Sequence, residues 1–508
     1  MPGYLVHASW GTGNERGNSM SETIQTHGGG KSRRGLFGFG VALSGVGLLA
    51  ACGGDAAPAA APTAAKAAPT TAPAPTAAAA APTVAPAPTT AKAEVKIKLA
   101  MWDYNPQIVR ENLDLFEKQN PGIKVEGPET GPSGEDYRKR MNTSMVAGER
   151  NDTMYMRDED AAEWAEAKWV LALDGFPGAA ELDKDEYPFV SEQTHYKGKK
   201  YGTIYYIGPQ VAMYNQEHLK AIGAKAPPAT FDEYREQAIQ IKRQKVNGVE
   251  FPRFGKPSEG ELEIWYLASG KRMFDDNLEP IFGKDPLFKE ILNKLFQAFT
   301  GDRIYGDDPS GPAAFDNGKA TYNWTSFYDL KRLNGKATAA GCQSNCPSIT
   351  GGAASGQLMN FVNPSFVAGK TGTAAICRQY AIASASKFPQ ESWKLISFLG
   401  GKDKDGKYYV ANRWWVEQGL NFGYKSMGET SEVKKSVEGW GDLDAYNKVV
   451  TSASPRPGVK GPWSAVWRAD FSKMVGDVMD GKMAANDAVD QGAQLWTTMK
   501  EKFEKDKR

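Results

Sequence analysis

Flat aromatic side chains sit beside carboxylates and amides at several points where a strand pattern gives way to a loop. They are Trp102-Asp103-Tyr104, Asp158-Glu159, Tyr205-Tyr206, Asn323-Trp324, Trp414-Trp415 in "ANRWW", and Trp463 in "GPWSAVW", with Trp265 in "ELEIWYLASG". Twelve of the thirteen tryptophans lie beyond residue 93. A sugar presents apolar C–H faces ringed by hydroxyls, so a cleft for one needs aromatic platforms next to bidentate hydrogen-bonding groups. Each residue also has a plainer use. Asp158 and Glu159 suit the first turn of a helix, where the dipole favours negative charge. Trp164, Trp169, Trp393 and Trp496 fall in helical segments and are expected in the core. Loop position favours the cleft for Trp102, Trp324 and Trp463, whereas Trp265, Trp414 and Trp415 fit either role.

Other chemistries have less to work with. Beyond residue 51 the only histidines are His195 and His218, and neither is near a cysteine in sequence, which disfavours zinc and any nucleophile–histidine pair. No G-x-S-x-G elbow or phosphate-cradling glycine loop is present. "KDKDG" (Lys402 to Gly406) lacks the ligand set of a calcium loop and is expected to be a turn. No metal and no cofactor is therefore expected. Cys342 and Cys346, flanking "QSN", are a possible disulfide; pairing of either with Cys377, or three unpaired thiols, are the alternatives. Carboxylates are plentiful, so a glycoside-active enzyme using a carboxylate pair remains open. The chain has 61 Lys and Arg against 60 Asp and Glu, and its first 51 residues hold four and two of these, so the rest is near neutral. Nucleic acid is excluded as a partner on that charge balance.

These residues need elements to hold them. "VKIKLAMW" alternates as a strand, "PQIVRENLDLFEKQN" has apolar residues at helical spacing, and Pro121-Gly122 stops it. "IKVEG" is a second strand, "SGEDYRKRMNTSMVAGE" a helix, and "TMYM" a third strand before "RDEDAAEWAEAKWVLALDG". Strand–helix–strand order predicts an α/β protein with a parallel sheet, whose ligands sit at the carboxyl ends of the strands. The loops after Trp102 and Met156 should then share one rim. "TFDEY" reads as a capping box with Thr230 as N-cap and Glu233 at N3, and Pro389 suits the first turn of "PQESWKLISFLGG". About 415 residues from Glu94 onward are too many for one core and predict two lobes.

"LFEKQNPGIKV", "TMYMRDEDAAEWAEAKWVLALD", "YKGKKYGTIYYIGPQVAMYNQEHLKAIG", "PPATFDEY" and "GKATYNW" follow one another in order and spacing. So do "ASASKFPQESWKLISFLGG" and "RPGVKGPWSAVWRADFSKMVGDVMDGKMAANDAVDQG". Together they resemble the family 1 extracellular solute-binding proteins of ABC importers, the maltose-binding-protein-like group, over nearly all of residues 94–508. The resemblance implies a two-lobed periplasmic-binding-protein-like fold with hinge crossings and a central ligand cleft. Lobe 1 would comprise 94–209 with 372–430, and lobe 2 would comprise 210–371 with 431–508. It also implies a monomeric, non-enzymatic receptor that captures a mono- or oligosaccharide by lobe closure and delivers it to the transmembrane subunits of a permease. In that family the segment holding Trp265 often faces the ligand, and a small residue often precedes the tryptophan of "GKATYNW"; here Asn323 stands before Trp324, which bears on ligand size. The rival readings are the glycoside-active enzyme and an adhesive or structural surface lipoprotein.

The amino-terminal stretch adds a location. Lys31, Arg33 and Arg34 precede about 17 uncharged residues ending in Leu49-Ala50-Ala51-Cys52. That run is too short and glycine-rich for a membrane span and reads as an export signal over 1–51. Its end resembles the lipobox of bacterial lipoproteins, in which cleavage precedes the cysteine and the new terminus is acylated, here at Cys52. "SRRGLF" resembles a twin-arginine motif with the order of Leu36 and Phe37 inverted. Residues 1–19 match neither signal nor structure, and Met20 offers an alternative start. Residues 52–93 are almost wholly Ala, Pro and Thr and predict a disordered, extended tether with a reach on the order of 100 Å. The expected location is the outer face of the cytoplasmic membrane, with the lipid anchor as the sole membrane contact.

Overall fold

A computed structural model describes residues 94–102, 105–129, 134–149, 151–307, 311–336 and 351–506. Asp103, Cys52, Cys342 and Cys346, the signal and the tether lie outside these. Alternation in "VKIKLA" turns Ile97 and Leu99 inward, forming β1 (Val95–Ala100). Pro106 opens the helix Pro106–Gln119, whose Ile108, Val109, Leu113 and Phe116 are buried. Gly122, at φ +92°, makes the turn into β2 (Ile123–Glu129), which runs parallel to β1. After the helix Gly134–Val146, β3 (Thr153–Arg157) is buried along its whole length and pairs parallel to the other edge of β1. The ends of β1 and β3 therefore share one rim, as their sequence order predicts. A short hairpin, β4 (His195–Tyr196) and β5 (Lys199–Lys200), leads to the buried β6 (Thr203–Pro209).

The chain then crosses to a second sheet. Its strands are β7 (Val211–Asn215), β8 (Arg253–Phe254), β9 (Tyr305–Gly306), β10 (Tyr322–Thr325) and β11 (Leu358–Phe361), in spatial order β11-β7-β10-β8-β9. Thr230 and Glu233 form the expected capping box, each side chain accepting from the other's backbone N–H, and open the helix Phe231–Gln244. The helix Glu259–Ala268 is buried almost throughout, with Glu259, Glu261 and Glu263 in its first half and the apolar run Ile264–Ala268 in its second. A ten-residue strand, β12 (Thr373–Ile382), returns to the first sheet, with β3 and β6 antiparallel on its opposite edges. Pro389 opens the helix Pro389–Gly400, and Asp403 Oδ1 accepts from the N–H groups of Asp405 and Lys407, making "KDKDG" a turn. Cys377 on β12 is a buried free thiol.

Two of the crossings are bonded to each other. Between β6 and β7, Gln210 N–H donates to the Ala374 carbonyl at 3.0 Å, and its own carbonyl accepts from Asn363 Nδ2 at 3.0 Å. Asn363 Oδ1 in turn accepts from Ala212 N–H at 2.8 Å. At Gly372 a Cβ would stand 2.5 Å from the Leu267 carbonyl oxygen, so the returning chain passes too close to the second sheet's helix for any side chain.

The segment after residue 430 touches both sheets, with Asn334 Nδ2 donating to the Trp440 carbonyl at 3.0 Å and Asn360 Nδ2 of β11 to the Asp442 carbonyl at 3.0 Å. The helices Ser431–Glu438 and Leu443–Thr451 bury Val433, Val437, Tyr446 and Val449 in the first core, and β13 (Ala453–Pro455) pairs parallel to β12 in the first sheet. Trp440 and Tyr446 draw this segment over by closing on Trp415 at 5.7 and 5.8 Å between ring centroids. The third crossing is thus 456–463, leading into the helix Ser464–Met479 and then Ala485–Asp506, both of which pack in the second core. The helix Phe327–Leu333 follows β10 yet also joins the first core. Phe327 meets Tyr446 at 4.7 Å, and the buried Lys331 ammonium donates to the carbonyls of Trp415 (3.0 Å) and Val416.

Candidate functional site

At the rim of the first sheet, Trp102 stands two residues past the end of β1, and β3 ends in Arg157, followed by Asp158, Glu159 and Asp160 in the first turn of the helix Asp158–Glu166. Trp102 is 9% exposed and meets Tyr155 at 6.2 Å; Tyr155 meets Tyr205 at 6.2 Å edge-on. Tyr205 in turn touches Tyr206 at 4.8 Å and Trp414 at 5.5 Å. Both tyrosines lie in β6, whose pairing with β12 slips between Arg378 and Gln379 and leaves Tyr205 as a bulged residue. The structure thus gathers Trp102, Tyr206 and Trp414 into one aromatic wall. Tyr155 was not expected in it; its strand gave no loop signal.

Arginines hold the carboxylates of this rim. Arg378 Nη1 donates to Asp158 and, at 3.0 Å, to Glu159 Oε2; Arg456 Nη1 donates to the same Glu159 oxygen at 3.1 Å. Arg157 lies 3.4 Å from Glu159 and makes a 2.7 Å bond to Asp160. Burial raises the Asp158 carboxyl above its ordinary range, and the Glu159 charge adds to the effect. Burial alone would do the same to Glu159, but the Arg378, Arg157 and Arg456 guanidiniums hold it well below that range. Asp158 and Glu159 share one guanidinium nitrogen, so they converge on a cation instead of flanking a bond to be cleaved.

The second sheet offers Trp324 at the end of β10, 5% exposed. It packs on Trp265 (5.6 Å) and Tyr234 (5.4 Å), with the Arg253 guanidinium 5.7 Å over its ring. Asn323 is half-buried, and its Oδ1 accepts from Trp324 N–H at 3.0 Å. Trp463, half-buried, precedes the helix Ser464–Met479 and meets Trp496 at 5.3 Å and Phe503 at 5.4 Å. The indole nitrogens of Trp324 and Trp463 are both buried without an acceptor among the described residues. Trp265 is 0% exposed, enclosed by Phe231, Tyr234, Trp324 and Phe366, and Trp415 is 0% exposed among Phe422, Trp440 and Tyr446. Tyr206 and Trp414, each 1% exposed, are enclosed almost as fully, so burial alone does not separate wall from packing residues.

The charged partners carry a sequence signal of their own, separate from the aromatic loop pattern. Arg378 is the only charge in "TAAICRQYAI", and a charge in an otherwise apolar strand is buried only when paired. Arg456 stands between two prolines, and Glu259 and Glu263 fall four apart on a buried helix. Where the two sheets meet, a narrow crevice of about 10 Å³, room for about one water, is lined by Tyr206, Gln210 and Ile376 from the first sheet's strands and crossing, and by Ser326 and Tyr328 after β10.

A family model described as bacterial extracellular solute-binding protein matches residues 113–415. Binding proteins of Brucella abortus and Brucella suis are 22% identical over 322 residues, covering 62% of this chain and 74% of theirs. Among solved structures, maltose-bound T. maritima MalE3 superposes with a TM-score of 0.65 at 17% identity, over 80% of this chain and all of that one. A solute-binding protein of Agrobacterium vitis with bound D-mannitol gives 0.61 at 18%, over 80% and 98%. The sugar-binding protein MalE of Xanthomonas citri gives 0.65 at 16%, over 82% and 100%. The two-sheet frame described above is the fold these proteins share.

Proposed function

Since the chain belongs to the bacterial extracellular solute-binding proteins, we propose that it captures a neutral polyhydroxylated solute, a mono- or oligosaccharide or a polyol, between its two lobes for an ABC importer. The observation that carries this reading is the aromatic wall of Trp102, Tyr155, Tyr205, Tyr206 and Trp414, set beside an ionised Glu159 at the rim shared by β1 and β3. Trp324 and Trp463 on the second lobe supply further ring surface and two buried indole donors suited to ligand hydroxyls. Asp158 and Asn323 add polar groups to the same two rims. The rim's arginines and carboxylates largely cancel, which suits an uncharged ligand. Maltose and D-mannitol, bound by two of the structural relatives, are the first probes to test.

In this reading the protein works without turnover. Ligand contacts both lobes only when they are closed and so biases an open–closed equilibrium. A permease receives the ligand, and acylated Cys52 with its Ala/Pro/Thr-rich tether holds the monomeric receptor at the membrane. The family itself supports export to the periplasm or cell surface. Thermal melting of the full chain with maltose, D-mannitol, a short peptide and a polyamine tests the ligand class. A sugar or polyol at 100 times its dissociation constant should add about 2.7 kcal/mol of stability. A shift with peptide or polyamine and none with sugars or polyols would reject the polyhydroxylated ligand.

A further inference from the structure

The third crossing leaves the first sheet at Pro455 and enters the second core at Ser464, and side chains from both sides grip it within two consecutive residues. On the first-lobe side, Glu159 accepts from the Arg456 guanidinium at 3.1 Å and is itself held by Arg378 at 3.0 Å. On the second-lobe side, Arg468 Nη2 donates to the Pro457 carbonyl at 2.9 Å. Its Nη1 bonds Glu259 at 2.5 Å and Glu263 at 2.7 Å. Arg468, Glu259 and Glu263 are all at most 10% exposed at their side chains, so the second grip is fixed within the core. The two grips also feel each other, since the Arg456 charge acts on Glu263 and the Glu159 charge acts on Arg468. Gln210 and Thr373 join the other two crossings by backbone-directed hydrogen bonds that do not depend on charge.

We infer that residues 456 and 457 form a two-sided ionic joint, in which Glu159 grips Arg456 and Arg468 grips the Pro457 carbonyl, and that this joint sets the angle between the lobes. It deepens the closure proposed above and rests on it. A crossing fixed to one lobe alone would let the other swing about it, whereas one gripped on both sides transmits the position of one lobe to the other. Arg456 is a positioning residue here, since it acts through Glu159 on the seam.

Spin labels at Lys118→Cys and Glu290→Cys, exposed sites on the helices Pro106–Gln119 and Pro286–Thr300, report the separation of the lobes in the full chain. Cys52, Cys342 and Cys346 are replaced by serine for this purpose. Without ligand, Arg456→Met should shift the distance distribution to longer values and broaden it, and Arg456→Lys, which keeps the charge, should restore most of the original distribution. Arg456 side chains are 19% exposed, so this variant should fold, and circular dichroism checks that it does. Unchanged distances in Arg456→Met would overturn the joint. Equal broadening in the Met and Lys variants would also overturn it, since packing and not charge would then be responsible. The ligand-free comparison stands by itself: absence of melting shifts with maltose and D-mannitol would count against the ligand reading, while unchanged distances would count against the joint.

Discussion

Arg378 shows how one buried charge can organise a rim. It stands alone among the ten buried residues of β12 and neutralises two carboxylates. Arg378→Met should destabilise the protein by roughly 3 kcal/mol, the lower end for breaking a buried pair, because Glu159 keeps Arg157 and Arg456. Chemical denaturation would measure the loss; a change below about 0.5 kcal/mol would mean the pair is not buried as described. Trp102→Ala and Trp324→Ala should each weaken the binding of whichever probe shifts melting by about tenfold or more, near 1.4 kcal/mol, while leaving the far-ultraviolet dichroism unchanged. Calorimetric titration gives the comparison, and Trp415→Phe, behind the wall, should leave affinity within about twofold. His195 supplies a pH signature outside the cleft. Its hydrogen bond to Asp183 raises the imidazole above its usual value, and the Ser191 carbonyl assists, while burial and the nearby Lys200 oppose. A raised histidine contributes stability that is complete below its unfolded value of about 6.5 and lost as pH rises through the folded one. Melting temperature should therefore decline on raising pH from about 6.5, and His195→Gln should flatten that decline.

At the scale of elements, the capping box offers a clean check. Thr230→Ala removes one side of a reciprocal pair at the start of Phe231–Gln244 and should cost about 1 kcal/mol in denaturant unfolding. Local rules of this kind carried much of the fold. The alternation of "VKIKLA", the helical spacing ending at Pro121-Gly122, the prolines at 106 and 389 and the turn at Asp403 each follow from chemistry within a few residues. The site was legible only in part. Trp102 and Trp324 stand at or just past strand ends as local sequence predicts, whereas the surroundings of Trp265 and Trp415 are set by distant residues. Their enclosure depends on Phe366, Trp440 and Tyr446, residues 25 to 101 positions away that only the folded chain brings near. The contacts of residues 431–455 are equally non-local, since Trp440 and Tyr446 meet Trp415 while Asn334 and Asn360 bond the carbonyls of Trp440 and Asp442. The bulge that turns Tyr205 beside Tyr206 arises from register against β12, which no local pattern records.

For the whole molecule, two sheets are joined by crossings at 210, 362–372 and 456–463 among the described residues, and the proposed closure must turn about these. Two of these crossings are tied by Gln210, Asn363 and Thr373, so the lobes should pivot at 456–463 and about the bonds at 210 and 373. The anchoring proposal makes its own prediction. In a bacterial host, Cys52→Ser should move the protein from the membrane fraction to the soluble exported fraction without changing its melting temperature, and unchanged membrane association would reject the acyl anchor. The receptor account itself meets its most direct test in the distance between labels at positions 118 and 290, recorded with and without the sugar or polyol that raises the melting temperature. Ligand should shorten and narrow that distance, as lobes closing on a shared molecule must. A ligand that binds tightly yet leaves the distance unchanged would contradict capture by closure.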